Sequence, residues 1–218
     1  RNYLVSSIGD LKRKTICILD QIFPEYESVF SNIFGKTSKE ILLHFSSPAE
    51  FESITSEQLE TALEQVSFKK FASKKISCIS NIAKTSFGIT FGLQSLTLQL
   101  KLLIQQINFI EQQVHDVEIQ IKQLLHKINT PITTIPGIGD IIGATILGEI
   151  GDIERFSNPS KLVAYAGIDA SVHQSGDYIS TNNKMSKRGS PYLRTALFRA
   201  ALIASVHDPV FKAYYQKK

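Results

Sequence analysis

Residues 93–128 constrain the fold more than any other stretch of the chain. Leu96, Leu100, Leu103, Ile107, Ile110, Val114, Val117, Ile121, Leu124 and Ile128 follow an unbroken alternation of four- and three-residue steps. Only an α-helix puts residues so spaced on one stripe. Placing Leu100, Ile107, Val114, Ile121 and Ile128 at a leaves Leu96, Leu103, Ile110, Val117 and Leu124 at d. Mostly β-branched a with mostly leucine d suits a two-stranded coiled coil. At 1.5 Å per residue the helix runs roughly 50 Å. So long a seam predicts a homodimer or higher assembly through residues 96–128; packing of the stripe on another helix of the same chain is the alternative.

The rest of the chain also reads as helix, and the fold class expected is all-α. Leu4, Ile8, Leu11, Thr15, Ile18 and Ile22 recur at helical spacing over 3–22. Phe23-Pro24-Glu25 marks a break and a new start. A short helix is expected from Ser38 to Phe45, and the next begins with Ser47 as cap and Pro48 in the first helical position. Thr55-Ser56-Glu57-Gln58 has the capping-box pattern and opens a helix through Val66; another spans 69–86. No run alternates convincingly enough to be a strand. The organisation expected is a helical linker region over 1–90 packing on the C-terminal domain, a coiled-coil helix over 91–129, and a C-terminal domain over 130–218.

With 43% hydrophobic residues in 218, the chain can bury a substantial core. No apolar run reaches the length of a membrane span, and the N-terminus lacks a secretory pattern. Cys17 and Cys78 have no metal-type spacing and sit in apolar helical patterns, which predicts buried, reduced thiols and a cytoplasmic location. The chain begins at Arg1 and is read as a piece of a longer protein. The net charge of +4 is unevenly spread. From Lys184 onward eight basic residues face one acid, Asp208. Such an end suits an anionic partner, foremost nucleic acid, or else a solvated terminus.

Two elements could serve that partner. In Thr133-Thr134-Ile135-Pro136-Gly137-Ile138-Gly139-Asp140, the glycines permit a tight turn and the following helix offers unpaired N–H groups and a positive dipole end to a phosphate. Small residues Gly143 and Ala144 then let helices approach closely. The segment is similar to a helix-hairpin-helix, whose contacts, here through Gly137, Ile138 and Gly139, hold a DNA backbone without reading bases; a purely structural hairpin is the alternative. Downstream, Lys184-Met185-Ser186-Lys187-Arg188-Gly189 leads into a helix capped by Ser190 and begun by Pro191. Its apolar face would use Leu193, Leu197, Ala200, Ala201 and Ala204, with Arg194 on another side. Tyr214 and Tyr215 are expected to pack rather than stack on bases.

Between these elements lies a polar, glycine-bracketed loop, Gly167 to Asp177, containing Ser175-Gly176. A serine hydroxyl flanked by two anion-binding elements is suited to attack a phosphodiester, given electrostatic help. Lys187, Arg188 and Arg194 could neutralise charge on the phosphate. His173 and Asp177 are close in sequence, but loop neighbours seldom face one another, so no triad is read. Ser171 lacks the following glycine.

Taken in order, Ile135-Pro136-Gly137-Ile138-Gly139, Gly148-Glu149-Ile150-Gly151-Asp152, Arg155-Phe156, Leu162-Val163-Ala164-Tyr165-Ala166-Gly167, Ser175-Gly176, Ser186-Lys187-Arg188-Gly189 and Leu193-Arg194 resemble the C-terminal domain of the insertion-sequence-110 family of transposases, which includes pilin-gene-inverting recombinases. Phe23-Pro24-Glu25, Leu42-Leu43 and Ser47-Pro48 look like that family's linker. The resemblance implies a DNA transposase or site-specific recombinase with Ser175 as the catalytic nucleophile. It also implies DNA contacts from Gly137, Ile138, Gly139, Lys184, Lys187, Arg188 and Arg194, and a structured guide RNA as partner. In that family a separate RuvC-like domain binds Mg through four acidic residues. No counterpart of it is found here, so no metal ligands or cofactor are expected in this chain, and the chain alone is expected to be inactive. The alternative from another class is a non-catalytic helix-hairpin-helix module for DNA binding and oligomerisation; a helical oligomerisation scaffold is a third reading.

Overall fold

The computed structural model describes residues 1–53, 55, 58, 69–170, 174–175, 178–179 and 184–217. They form two compact units, Arg1–Asp116 and Val117–Lys218. The fold is all-α. Among the described residues the only strand pair is two residues long on each side, and no helix is long and apolar enough to cross a membrane.

In the first unit, α1 spans Asn2–Ile22, and a 3-10 turn, Pro24–Val29, follows with Pro24 where its missing N–H matters least. Helices α2 (Lys36–His44), α3 (Pro48–Glu52) and α4 (Lys69–Ala83) come next. Ser47 caps α3 as its sequence requires: its side chain accepts from the Glu50 N–H, and the Glu50 carboxylate accepts from the Ser47 N–H in return. Thr55 and Gln58 form the same reciprocal pair at 3.1 and 3.3 Å. The helix expected to continue through Val66 lies outside the described residues.

Tyr26 stands at the centre of this unit. Its ring is fully buried against Phe23, Phe30 and Phe51. Its hydroxyl reaches the buried Ser38, 3.0 Å from the hydroxyl and 3.2 Å from the carbonyl. Burial pushes the phenol far above its ordinary acidity range. Ile18, Leu19, Ile22, Ile41, Leu42, Ile76 and Ile79 complete the core.

Helix α5 covers Leu93–Ile128, 36 residues, with the bounds its periodicity predicts. The seam, however, is not all available to a partner. Leu100, Leu103 and Ile107 are buried within the first unit, as is Ile104, which is neither a nor d. A buried a/d/e face is the mark of a helix on a globular core, not of a strict coiled-coil seam. A straight α-helix also drifts about 20° per heptad against a seven-residue repeat, which moves the buried column toward e. Accordingly Leu125 is buried, while Leu124 and Ile128 are 58% and 63% exposed. The expected 96–128 seam is therefore covered within the first unit up to Ile107, and a partner cannot use that part of it.

Both cysteines are exposed, contrary to expectation. Cys17 and Cys78 adjoin buried Ile18 and Ile79 but point off those stripes. Near-continuous apolar runs hide which residue the helix turns outward.

The second unit contains α6 (Asp140–Ile150), α7 (Pro159–Ala166), β1 (Gln174–Ser175), β2 (Tyr178–Ile179), α8 (Pro191–His207) and α9 (Pro209–Gln216). Its core is small: Ile146, Ala166, Leu193 and Ala196, with Ile132, Ile138, Ile142 and Leu162 packed around them. Helix α8 buries Leu193, Ala196, Ala200 and Ala204, so Ala196 replaces the expected Ala201, which is exposed. Tyr214 and Tyr215 are exposed as well, so the expected packing role fails for both.

Replacing Tyr26 by Phe leaves the buried Ser38 hydroxyl without its partner. Urea unfolding should show a loss of about 1–2 kcal/mol. An unchanged midpoint would show that the bond contributes nothing.

Candidate nucleic-acid interface and serine tongue

The hairpin at 131–140 is built from a one-turn 3-10 helix, Pro131–Thr134, a turn, and α6. Thr130 caps the first element by accepting from the Ile132 N–H. Gly137 has φ +86, which an L side chain rarely adopts, and a Cβ there would lie 2.4 Å from the Ala200 carbonyl of α8. This glycine is required because the turn lies against α8. Gly139 differs: its φ is −86 and nothing lies within 4 Å of the Cβ position. Ile138 packs its side chain into the core, so only its backbone is left to meet a phosphate. A Cβ on Gly143 would lie 3.1 Å from the Ile132 Cγ2, a close approach that glycine allows.

Gly139 offers α6 no side-chain cap, and the Gly143 N–H is the first to bond back, to the Gly139 carbonyl. The amides of the first turn therefore face an open groove of about 620 Å³ lined by Lys122, residues 133–142 and Ile203. Asp140 lies in that first turn and opposes an incoming anion, whereas Lys122 favours one. Sequence reading missed Lys122, which lies in α5 and is charged like any surface lysine.

Ser175 lies on a short tongue. Gln174 pairs with Ile179 and Ser175 with Tyr178, antiparallel, and an isolated bridge joins Ala170 to Met185 nearer the base. The loop expected at 167–177 is thus partly a strand pair. Residues 171–173, 176–177 and 180–183, including Ser171, His173 and Asp177, lie outside the described residues. The base of the tongue is closed by backbone. The Lys187 N–H donates to the Gly167 carbonyl at 3.0 Å and the Ser186 N–H to the Asp169 carbonyl at 2.9 Å. The Ser186 hydroxyl donates to the Asp169 carboxylate. Gly189 lies so tightly on α7 that a Cβ would sit 1.9 Å from the Tyr165 carbonyl.

Ser190 then starts α8 as expected, accepting from the Leu193 N–H at 3.1 Å, and donates to Glu149 at 2.6 Å. Lys184, Lys187 and Arg188 are exposed on this shoulder. Lys187 has φ +55, a left-handed backbone costing about 1–2 kcal/mol, stabilised by its bond to Gly167. Among the described residues, no carboxylate lies within ion-pair distance of Lys187 or Arg188. Arg194 is half-buried and donates one Nη to the Ala166 carbonyl at 3.1 Å, so it holds the end of α7 as well as carrying charge. The described residues gather no cluster of three or more His, Cys, Asp or Glu side chains that could hold a metal ion.

The second unit thus carries an uncapped helix end, a strand pair bearing Ser175 and a shoulder of exposed basic residues. Residues 129–216 match the model of the transposase IS116/IS110/IS902 family. The pilin gene-inverting protein of Moraxella bovis is 34% identical over 96 residues, covering 44% of this chain and 30% of that protein. The pilin gene-inverting protein of Moraxella lacunata is 36% identical over 87 residues, or 39% and 27% of the two chains. An insertion element IS110 protein of 43.6 kDa from Streptomyces coelicolor is 28% identical over 93 residues, or 43% and 23%. The matched part thus spans under a third of these relatives' length.

Gly137→Ala should destabilise the chain by roughly 3 kcal/mol, through both backbone strain and the clash with α8. Gly139→Ala should lose less than about 1 kcal/mol. Equal losses in denaturant unfolding would refute the packing assignment of Gly137.

Proposed function

We propose that this chain is part of a DNA transposase or site-specific recombinase in which Ser175 is the nucleophile. One observation carries the reading: the segment that matches the transposase family encloses both the Ser175 strand pair and the cationic shoulder at its base. The relatives named for pilin gene inversion support recombination of DNA as the reaction class.

The serine oxygen forms a bond to a backbone phosphorus while the phosphorus–oxygen bond to the leaving strand breaks. The serine proton is given up, and the leaving deoxyribose oxygen takes one on. Attack by a second strand's hydroxyl reverses these bond changes and releases the serine, so no outside energy source is consumed. Lys187 and Arg188 neutralise the phosphate oxygens, Arg194 steadies the end of α7 beside them, and Lys184 extends the positive field. The turn at Gly137, Ile138 and Gly139 holds the backbone through its amides, with Lys122 offsetting Asp140.

In the longer protein, this unit works with a RuvC-like domain whose acidic residues hold Mg, and with a guide RNA that selects the DNA. Bound Mg would supply charge neutralisation at the phosphate. The described residues of this chain do not fit a metal site, and no step is derived through one. Two copies associate through the part of α5 beyond Ile107, where Leu124 and Ile128 are exposed.

Ser175→Ala in the longer protein should lower strand exchange by at least about a thousandfold while DNA affinity changes less than twofold. Exchange at the unmutated rate would overturn the nucleophile. In this chain, Lys187→Gly keeps the left-handed backbone and should flatten the dependence of DNA affinity on salt by about one phosphate contact. An unaltered slope would remove Lys187 from the interface.

A further inference from the structure

The residues that close the base of the tongue also wall a second cavity. Ile168 on one side, and Met185 and Lys187 on the other, face Arg194, Thr195, Leu197, Phe198 and Ala201 of α8 across about 540 Å³. It shares no lining residue with the groove at 133–142. Its volume falls within the ~300–1,000 Å³ of sites that take small ligands. The walls are mostly apolar, and its largest side chains are unusually open to water: Phe198 is 67% exposed and Met185 47%. Core packing therefore does not account for Phe198.

Among the described residues, the polar groups on this cavity are cationic or neutral, and no carboxylate lines it. Arg194 spends one Nη on the Ala166 carbonyl, and a guanidinium has five N–H donors. Lys187 is held at the rim by its left-handed backbone. A flat apolar body with an attached anion complements such a site. A base with its own phosphate has that form, and an aromatic face with a nearby cation is how single-stranded nucleic acid is held. A stacked, paired base cannot enter without first being extruded, which costs a few kcal/mol.

We infer that this cavity takes one unpaired DNA base, stacked on Phe198 and Met185, with the adjoining phosphate on Lys187 and Arg194. The inference rests on the DNA-recombining reading and adds a preference to it. The tongue that carries Ser175 then has an unpaired nucleotide anchored at its base, which fixes the register of the strand beside the nucleophile.

The test uses the whole 218-residue chain and fluorescence anisotropy on three duplexes: fully paired, with a single-base bulge, and with an abasic residue in the bulge. The bulged duplex should bind about tenfold more tightly than the paired one, and the abasic form should fall back to the paired value. Phe198→Ala should abolish the preference while leaving paired-duplex affinity within twofold; Phe198→Trp should keep it. Ala201→Trp, which fills the cavity from an exposed position, should also abolish it. Equal affinity for paired and bulged duplexes, an abasic bulge bound as tightly as a base, or Phe198→Ala weakening all three alike overturns the base site but leaves the DNA reading standing. No binding to any duplex overturns both. A ribonucleotide bulge bound more tightly, with the same dependence on Phe198, overturns DNA as the occupant.

Discussion

The contact of Gly189 with the Tyr165 carbonyl, backbone against backbone, is the constraint from which the candidate site follows. No side chain fits between them. Because the chain returns to α7 at this point, the Ser190 N–H reaches the same carbonyl at 2.8 Å, and Ser190 is then in place to cap α8. The return also sets Lys187 against Gly167 and Ser186 against Asp169, so the strand pair that carries Ser175 is closed at its root. A unit whose buried core is four residues and their neighbours has little apolar area to hold such a projection. Main-chain bonds and two glycines supply what burial does not.

The carboxylates beside the tongue are used with the same economy. Glu149 and Asp169 accept from Ser190 and Ser186, so these two carboxylates of the region are engaged by hydroxyls and not by lysine or arginine. Lys187 and Arg188 are exposed and have no carboxylate within ion-pair distance among the described residues. The first unit behaves in the opposite way: Glu111 lies between Lys12 and Lys39, and Glu50 faces Lys101. Lys12, Lys39 and Lys101 are thus paired within the unit.

Local chemistry was legible in the residues. Ser47 with Pro48 and Glu50, Thr55 with Gln58, and Ser190 with Pro191 formed the caps their spacing implies, because a cap is decided within four residues. The bounds of α5 were legible for the same reason. The use of its seam was not. Ile104 and Leu125 are buried while Leu124 and Ile128 are not, and a seven-residue count does not follow a helix of 3.6 residues per turn. The exposure of Cys17 and Cys78 was not legible, because apolar neighbours on a helix do not reveal which side faces water. Gly137 was legible as a glycine that had to be one, but the object it avoids is the Ala200 carbonyl, 63 positions further along the chain.

The sequence by itself determined the helical class, the helix ends, the excess of basic residues after Lys184 and the order of motifs that the family shares. These depend on neighbours in the chain, and periodicity and capping act over a few residues. Tertiary structure alone decided that Ser175 belongs to a strand pair closed at its root, that Arg194 also holds α7, and that Phe198 opens into a cavity with Lys187 and Arg194 on its walls. Those facts depend on which backbones approach within a few ångströms of one another, and only packing brings residues far apart in sequence to that distance.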